Sequence, residues 1–472
     1  MIFSSMVFLW IFLPVVWLSA ALLFRFRRER WTNLFLFLAS LFFYAWGEPA
    51  YILLMLFSVV LNYCGGLWLV RGHDKTSKKR RMIAVLSCDL LLLGVFKYLG
   101  LFAGTVFGLF GAGSPFPELP LPIGISFYTF QAMSYIIDLY RGRYEVQRNL
   151  FRLGLYIAFF PQLIAGPIVR YEDFEKQLVS RSVTTEKTAA GIRRFCYGLA
   201  KKVLLANTLA EGVERITTAA TYYGMSAPFL WLMSVMYTLQ IYYDFSGYSD
   251  MAIGLGKLFG FEFRENFRLP YCSKSIGEFW RRWHISLGTW FREYVYIPLG
   301  GNRGGKKKTC RNLLIVFALT GFWHGAEWGF LLWGLYYGIL IVAERLTGLE
   351  RHTAKHPFFG WLYTMIAVNF GWVVFAFPQL KISAGYLKRM ILFPCYLSYA
   401  GYASDLVNAR LLVAVVIGIL GAGVLQHFFA GSKLAGRYKG SYAEDAVCAL
   451  LFFAGVCVLA TGGYNPFIYF RF

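Results

Sequence analysis

Two histidines carry most of the chemistry-bearing signal in this sequence. His284 closes the run Glu278-Phe279-Trp280-Arg281-Arg282-Trp283-His284, and His324 sits in Gly321-Phe322-Trp323-His324-Gly325. The chain is 58% hydrophobic and holds six histidines in 472 residues. His324 lies between two apolar stretches, 313–320 and 329–343. An ionisable side chain at membrane depth is costly and marks a polar cavity or a transport path. Imidazole is also the side chain suited to moving a proton near neutral pH. The pattern predicts a membrane protein that does chemistry. The bland alternatives are a core histidine bonded to a hydroxyl for His324, and an anchor of a Trp-rich interfacial helix for His284. Gly321 and Gly325 favour a site by clearing space around the His324 ring.

The elements that must position these residues are membrane helices. Aromatics at 19% and charged residues at only 15% exclude an ordinary soluble domain. Many windows reach the ~20 apolar residues that cross a bilayer. The first, near 7–24, is followed rather than preceded by arginines, so it reads as a retained span and not a signal peptide. The net charge of +22 raises the question of nucleic acid. Lys and Arg concentrate in short loops between apolar segments, however, which is the positive-inside bias of a chain whose partner is the lipid bilayer and not nucleic acid. The eight cysteines show no C-x-x-C spacing, so neither a metal site nor a disulfide framework is indicated.

Taking the basic clusters as cytoplasmic, the fold class is an all-α polytopic membrane protein, one embedded unit over 1–472. About twelve spans are expected near 7–24, 31–46, 50–70, 82–108, 121–140, 189–210, 227–245, 312–326, 328–345, 359–377, 410–430 and 446–463. Pro161, Gly166 and Pro167 break the segment 151–169, which is expected to be re-entrant. In 264–311, Trp280, Trp283, Leu287, Trp290 and Tyr294 recur every three or four residues, predicting an apolar stripe on one interfacial helix.

Other motifs carry less. Asp244-Phe245-Ser246-Gly247-Tyr248-Ser249-Asp250 lacks a G-x-S-x-G elbow, so its acids are expected to meet cationic or hydroxyl partners in the core. Gly254-x-Gly256-Lys257-x-x-Gly260 has no strand before it and reads as small-residue helix packing. The aromatic segment Asn465–Phe472 reads either as an interfacial anchor or as a tail threaded back into a cavity.

The stretches 161–174 (PQLIAGPIVRYEDF), 240–267, 268–303 (RLPYCSKSIGEFWRRWHISLGTWFREYVYIPLGGNR) and 320–334 (TGFWHGAEWGFLLWG), with the aromatic tail, resemble the membrane-bound O-acyltransferases. Within them the match is to the bacterial branch that O-acetylates alginate and peptidoglycan. The resemblance implies a multi-helix bundle around a central tunnel, with both histidines near its centre. It implies no bound cofactor, an acyl thioester donor such as acetyl-CoA entering from the cytoplasm, and an extracytoplasmic polysaccharide as acceptor. A separate extracytoplasmic esterase-like acetyltransferase is the implied partner, and the chain itself is expected in the inner or plasma membrane as a multi-pass protein.

On that reading the residues take roles. His324 is the candidate base for the attacking hydroxyl. His284 is expected to stabilise the developing oxyanion or to hold the thioester. Arg281 and Arg282, with Lys306, Lys307 and Lys308 behind them, supply cations for donor phosphates, and Asn266 is a supporting substrate-site residue. Tyr469 holds the only side-chain hydroxyl in 467–472 and is a candidate acyl carrier if His324 deprotonates its phenol. Two alternatives stand beside this: transfer of D-alanyl or another acyl group to a cell-envelope polymer, and a non-enzymatic transporter or flippase of polar solutes.

Overall fold

The computed structural model describes residues 1–26, 28–116, 119–223, 226–392, 406–429, 431–462 and 465–468, and among them there is no strand. The chain divides into two compact units, Met1–Phe195 with Ser249–Arg264, and Cys196–Tyr248 with Glu265–Phe472.

The first unit holds α1 (Leu13–Arg25), α2 (Glu29–Gly47), α3 (Ile52–Val70), α4 (Lys75–Leu109), α5 (Ile125–Tyr140), α6 (Leu150–Ala158), α7 (Phe160–Leu163), α8 (Tyr171–Val179) and most of α9 (Thr185–Ala200). Two of its helices, α4 and α6, begin where a side chain takes orphan N–H groups of the first turn. Asp74 accepts from Thr76 and Ser77 ahead of α4, and Asn149 from Arg152 ahead of α6. The expected break in 151–169 falls at Phe159, just before Pro161, and every residue from 153 to 169 is buried. Polar groups inside this unit pair with one another, Asn62 with Asp89 at 2.9 Å and Lys97 with Ser126 at 3.1 Å. Gly254 and Gly191 meet backbone to backbone, where a Cβ on Gly254 would stand 2.6 Å from the Gly191 carbonyl, as small-residue packing requires.

The second unit holds α10 (Asn207–Tyr223), most of α11 (Ala227–Leu258), α12 (Ile276–Arg282), α13 (Ile285–Phe291), α14 (Gly305–His324), α15 (Trp328–Thr347), α16 (Leu349–Lys355), α17 (Pro357–Ala376), α18 (Leu380–Leu392) and later helices that include Ala409–Ile419 and Tyr442–Ala460. Among the described residues, six helices are long and apolar enough to cross a membrane: Phe8–Arg25, Ile52–Val70, Lys75–Leu109, Trp328–Thr347, Pro357–Ala376 and Tyr442–Ala460. Their outward faces carry bare Leu53, Leu91 and Leu450, about 70% exposed, which suits lipid rather than water. The remaining expected spans also fall on helices, but these are shorter or carry polar residues inward, such as Gln240 and Asp244 of α11.

The single interfacial helix expected over 280–294 is a correction. Two seven-residue helices, α12 and α13, replace it, because the backbone turns left-handed at His284. Trp283, Leu287, Trp290 and Tyr294 are all buried despite the break.

Candidate active site

The break at His284 is built from both sides. Ser275 caps α12 through the Glu278 N–H, and the Glu344 carboxylate of α15 accepts from the N–H groups of Ile276 and Gly277 at 2.6 and 3.0 Å. A carboxylate at a helix N-terminus complements its positive dipole end. Downstream, residues 266–268 run beside 282–285. The Arg268 N–H donates to the Arg282 carbonyl at 3.0 Å, and the Ile285 N–H to the Asn266 carbonyl at 2.9 Å. His284 sits between these bonds at φ 44°, ψ 53°, a left-handed geometry uncommon for a residue with a side chain. Such strain persists only where the surroundings enforce it, and it concentrates at functional positions.

The Asn266 side chain fixes the protonation pattern of the His284 ring. Asn266 Oδ1 accepts from the Ser286 backbone N–H at 3.1 Å and from the Ser286 hydroxyl at 2.9 Å. A backbone N–H can only donate, so this atom is the amide oxygen. His284 Nδ1 lies 3.2 Å from the same oxygen and must therefore carry the proton. His284 is 1% exposed, and burial pushes its imidazole down to about 3. The ring is thus neutral, with Nδ1–H donating to Asn266 and the lone pair on Nε2. Asn266 itself is 1% exposed and holds the His284 ring from behind.

Aromatic rings enclose both histidines. Phe245 of α11 packs edge-on to His284 at 4.6 Å, and Trp323 lies 6.0 Å from the same ring. Trp323 also contacts His324 at 5.0 Å, so one indole bridges the two imidazoles. Trp333 and Phe375 close on His324 at 5.0 and 5.2 Å. Gly321 and Gly325 do not clear space around this ring as expected. A Cβ on Gly321 would meet the Phe330 carbonyl at 2.2 Å, and one on Gly325 the Phe330 ring at 2.2 Å. Both glycines let α15 close against the end of α14.

A cavity of about 740 Å³ runs along α12–α15 and reaches His284. Exposed Arg281, Arg292 and Arg345 line its open side, with Thr320 and Phe317 of α14 further in. Arg282, expected beside Arg281, does not line it and instead pairs with Glu278 at 2.6 Å. Arg281 does line it but is also bonded to Glu350 at 2.8 Å. Arg345 was not legible in the sequence as a site residue, because only the packing of α15 brings it here. Lys306, Lys307 and Lys308 are exposed in the first turn of α14. Tyr469 lies outside the described residues. Just before it, Phe467 and Ile468 are 6% and 7% exposed, so this part of the tail goes inward rather than lying at an interface. The acids of the run 244–250 also meet cationic partners as expected: Asp244 pairs with Lys202 at 2.8 Å and Asp250 with Arg194 at 2.6 Å.

Residues 146–386 match the model of the membrane-bound O-acyltransferase family, a span that takes in both histidines. The chain belongs to that family. It is 39% identical to a Pseudomonas putida protein named "Probable alginate O-acetylase" over the full length of both chains. The peptidoglycan O-acetyltransferase of Helicobacter pylori is 35% identical over 83% of this chain and 80% of its own. A teichoic acid D-alanyltransferase of Bacillus subtilis is 31% identical over 54% of this chain. Membership in this family makes the chain an acyltransferase enzyme and a multi-pass membrane protein, and it sets the transporter alternative aside.

Proposed function

We propose that this O-acyltransferase takes an acetyl group from a cytoplasmic thioester, acetyl-CoA, and passes it across the plasma membrane for O-acetylation of an extracytoplasmic polysaccharide. The observation that carries this reading is the cavity. Exposed arginines stand at its open side, apolar walls follow, and a buried histidine lies within reach. That sequence suits a donor with anionic phosphates at one end and a reactive thioester at the other. The relatives' names put alginate and peptidoglycan first among acceptor classes.

In this scheme His324 removes the proton from the attacking hydroxyl. A carbon–oxygen bond forms at the thioester carbonyl, the carbon–sulfur bond breaks, and the thiolate leaves with that proton as free thiol. His284, with its lone pair on Nε2, accepts a hydrogen bond from a substrate N–H or O–H. Tyr469 is the proposed first acceptor, because its aryl ester would be an activated donor on the outer side. A separate esterase-like acetyltransferase would then move the acetyl group to the polymer.

The test is sided. The purified protein is placed in proteoliposomes in one orientation, with labelled acetyl-CoA sealed on the arginine side, and with polymer and partner outside. Label should reach the polymer, and should appear on a tail peptide when the partner is omitted. Transfer from a D-alanyl thioester but not from acetyl-CoA would overturn the acyl assignment. Equal transfer with donor supplied on the opposite side would overturn the direction.

A further inference from the structure

The segment after the last helix is received by a buried charged pair that the acyl-transfer scheme leaves unused. Lys202 and Asp244 are 3% and 2% exposed, deep in the second unit, and their charges lie 2.8 Å apart. An ammonium group has three protons to donate. Two of them go to Asn207 Oδ1 at 2.8 Å and to the backbone carbonyl of Pro466, while Asp244 Oδ1 stands 2.8 Å from the nitrogen as its counter-ion. The second Asp244 oxygen accepts the backbone N–H of Ile468 at 2.8 Å. Because Lys202 only donates, the Asn207 atom facing it is the oxygen, and Asn207 Nδ2 donates to the Asn465 side chain at 3.1 Å. The Phe467 ring packs against Tyr248 at 4.9 Å.

A buried ion pair is costly and persists when its remaining donors and acceptors are satisfied. Here the tail backbone supplies the missing carbonyl and N–H. The pair therefore reads a peptide rather than merely holding two helices together. Its position is also informative. Asp244 is followed on α11 by Phe245, whose ring packs on His284, so the tail is docked one residue from a wall of the active site.

We propose that Lys202 and Asp244 are positioning residues: they form a receptor that docks Asn465–Ile468 and so fixes the point from which Tyr469 departs. The Ile468 N–H is tied to Asp244 at 2.8 Å, which anchors the end of the described tail to α11. The role rests on the reading of Tyr469 as acyl carrier, and the two can fail separately.

The variant to use is Lys202→Met with Asp244→Asn, which removes both charges and leaves neither one buried alone. The reporter is a single thiol, Ile468→Cys, with the eight native cysteines replaced. In the charge-free variant, maleimide labelling at 468 should rise at least about tenfold as the tail leaves its dock. In the otherwise native chain, kcat for acetyl transfer should fall roughly 100-fold with the KM for acetyl-CoA unchanged, since a misplaced nucleophile loses rate and not donor binding. Unchanged labelling would overturn the dock. Increased labelling with unchanged kcat would overturn the positioning role. Parental transfer by Tyr469→Phe would instead sink the carrier reading, with labelling at 468 untouched.

Discussion

At Phe159 the helix begun at Leu150 stops and a new turn starts around Pro161; between Trp283 and His284 the helix begun at Ile276 stops and another starts at Ile285. The first break has an ordinary cause. Phe159 keeps φ −59°, and Pro161 cannot donate to a continuing helix. The Phe160 N–H goes to Ser40 at 3.1 Å and the Gln162 side chain to the Tyr156 carbonyl at 2.6 Å, so the polar groups are met locally. The second break has neither glycine nor proline anywhere in 278–287. A histidine itself takes the left-handed geometry, and Asn266, Ser286 and Arg268 hold it there. A break that the sequence explains serves packing. A break that costs strain on a reactive side chain serves the site.

The largest effects should follow from removing the chemistry. His324→Ala should lower acetyl transfer by roughly 10²–10⁴, the range for loss of a general base, with membrane levels near parental. Purified His324→Ala protein transferring acetyl at the parental rate would overturn the assignment.

The next effect tests the left-handed break. Asn266→Leu removes the acceptor that fixes the His284 ring and should cost about 100-fold in kcat, as a misplaced active-site group does. Asn266→Asp keeps an acceptor at the same place and should restore most of that rate near pH 8. Its added charge favours imidazolium, so the His284 pKa rises from its burial-depressed value of about 3. Nε2 would then be protonated at higher pH than in the parental chain, and the Asp variant should lose rate on acidification earlier. Identical pH–rate profiles would show that Asn266 is only structural.

Much of this was legible before any coordinates. The helices, the two histidines and the core pairing of Asp244 and Asp250 follow from hydrophobic runs, from the scarcity of histidine and from the cost of burying a lone charge. What was not legible depends on backbone geometry or on distant packing. The stripe of Trp280, Trp283, Leu287, Trp290 and Tyr294 keeps its spacing across the break, so periodicity reads two helices as one. Gly321 beside His324 invites a local reading, whereas its contact is Phe330 of α15. Arg345 lies 21 residues beyond His324 in the numbering and joins the cavity only through α15.

The cavity arginines should give a smaller, separable effect. Arg345→Gln or Arg292→Gln should raise the KM for acetyl-CoA several-fold with little change in kcat, because uniform donor binding is lost. Added salt should mimic the change, since exposed charges are screened over about 10 Å at 0.1 M. Replacing Lys306, Lys307 and Lys308 together should do less, as these residues lie off the cavity in the first turn of α14. If the lysine triple variant shifts KM more than Arg345→Gln, the donor phosphates lie on the lysine side instead.

The smallest effect is expected at the other break, and it is the one on which the comparison turns. Pro161→Ala restores an N–H that could in principle donate to the Ile157 carbonyl and continue α6. The bonds from Phe160 to Ser40 and from Gln162 to Tyr156 do not depend on proline and should keep the chain turned. Gly166 adds a steric reason, since a Cβ there would stand 2.4 Å from the Gln162 Cα, so the following residues already require the compact turn. Stability should therefore change by about 1 kcal/mol or less, mainly through the freer unfolded chain. Acetyl transfer should stay near parental, because nothing at this break is strained. Thermal unfolding of the detergent-purified protein and transfer measured on the same sample would check both. A Pro161→Ala chain that folds normally yet loses transfer would show that the proline-made break also belongs to the chemistry, and strain at His284 would no longer distinguish a functional break from a packing one.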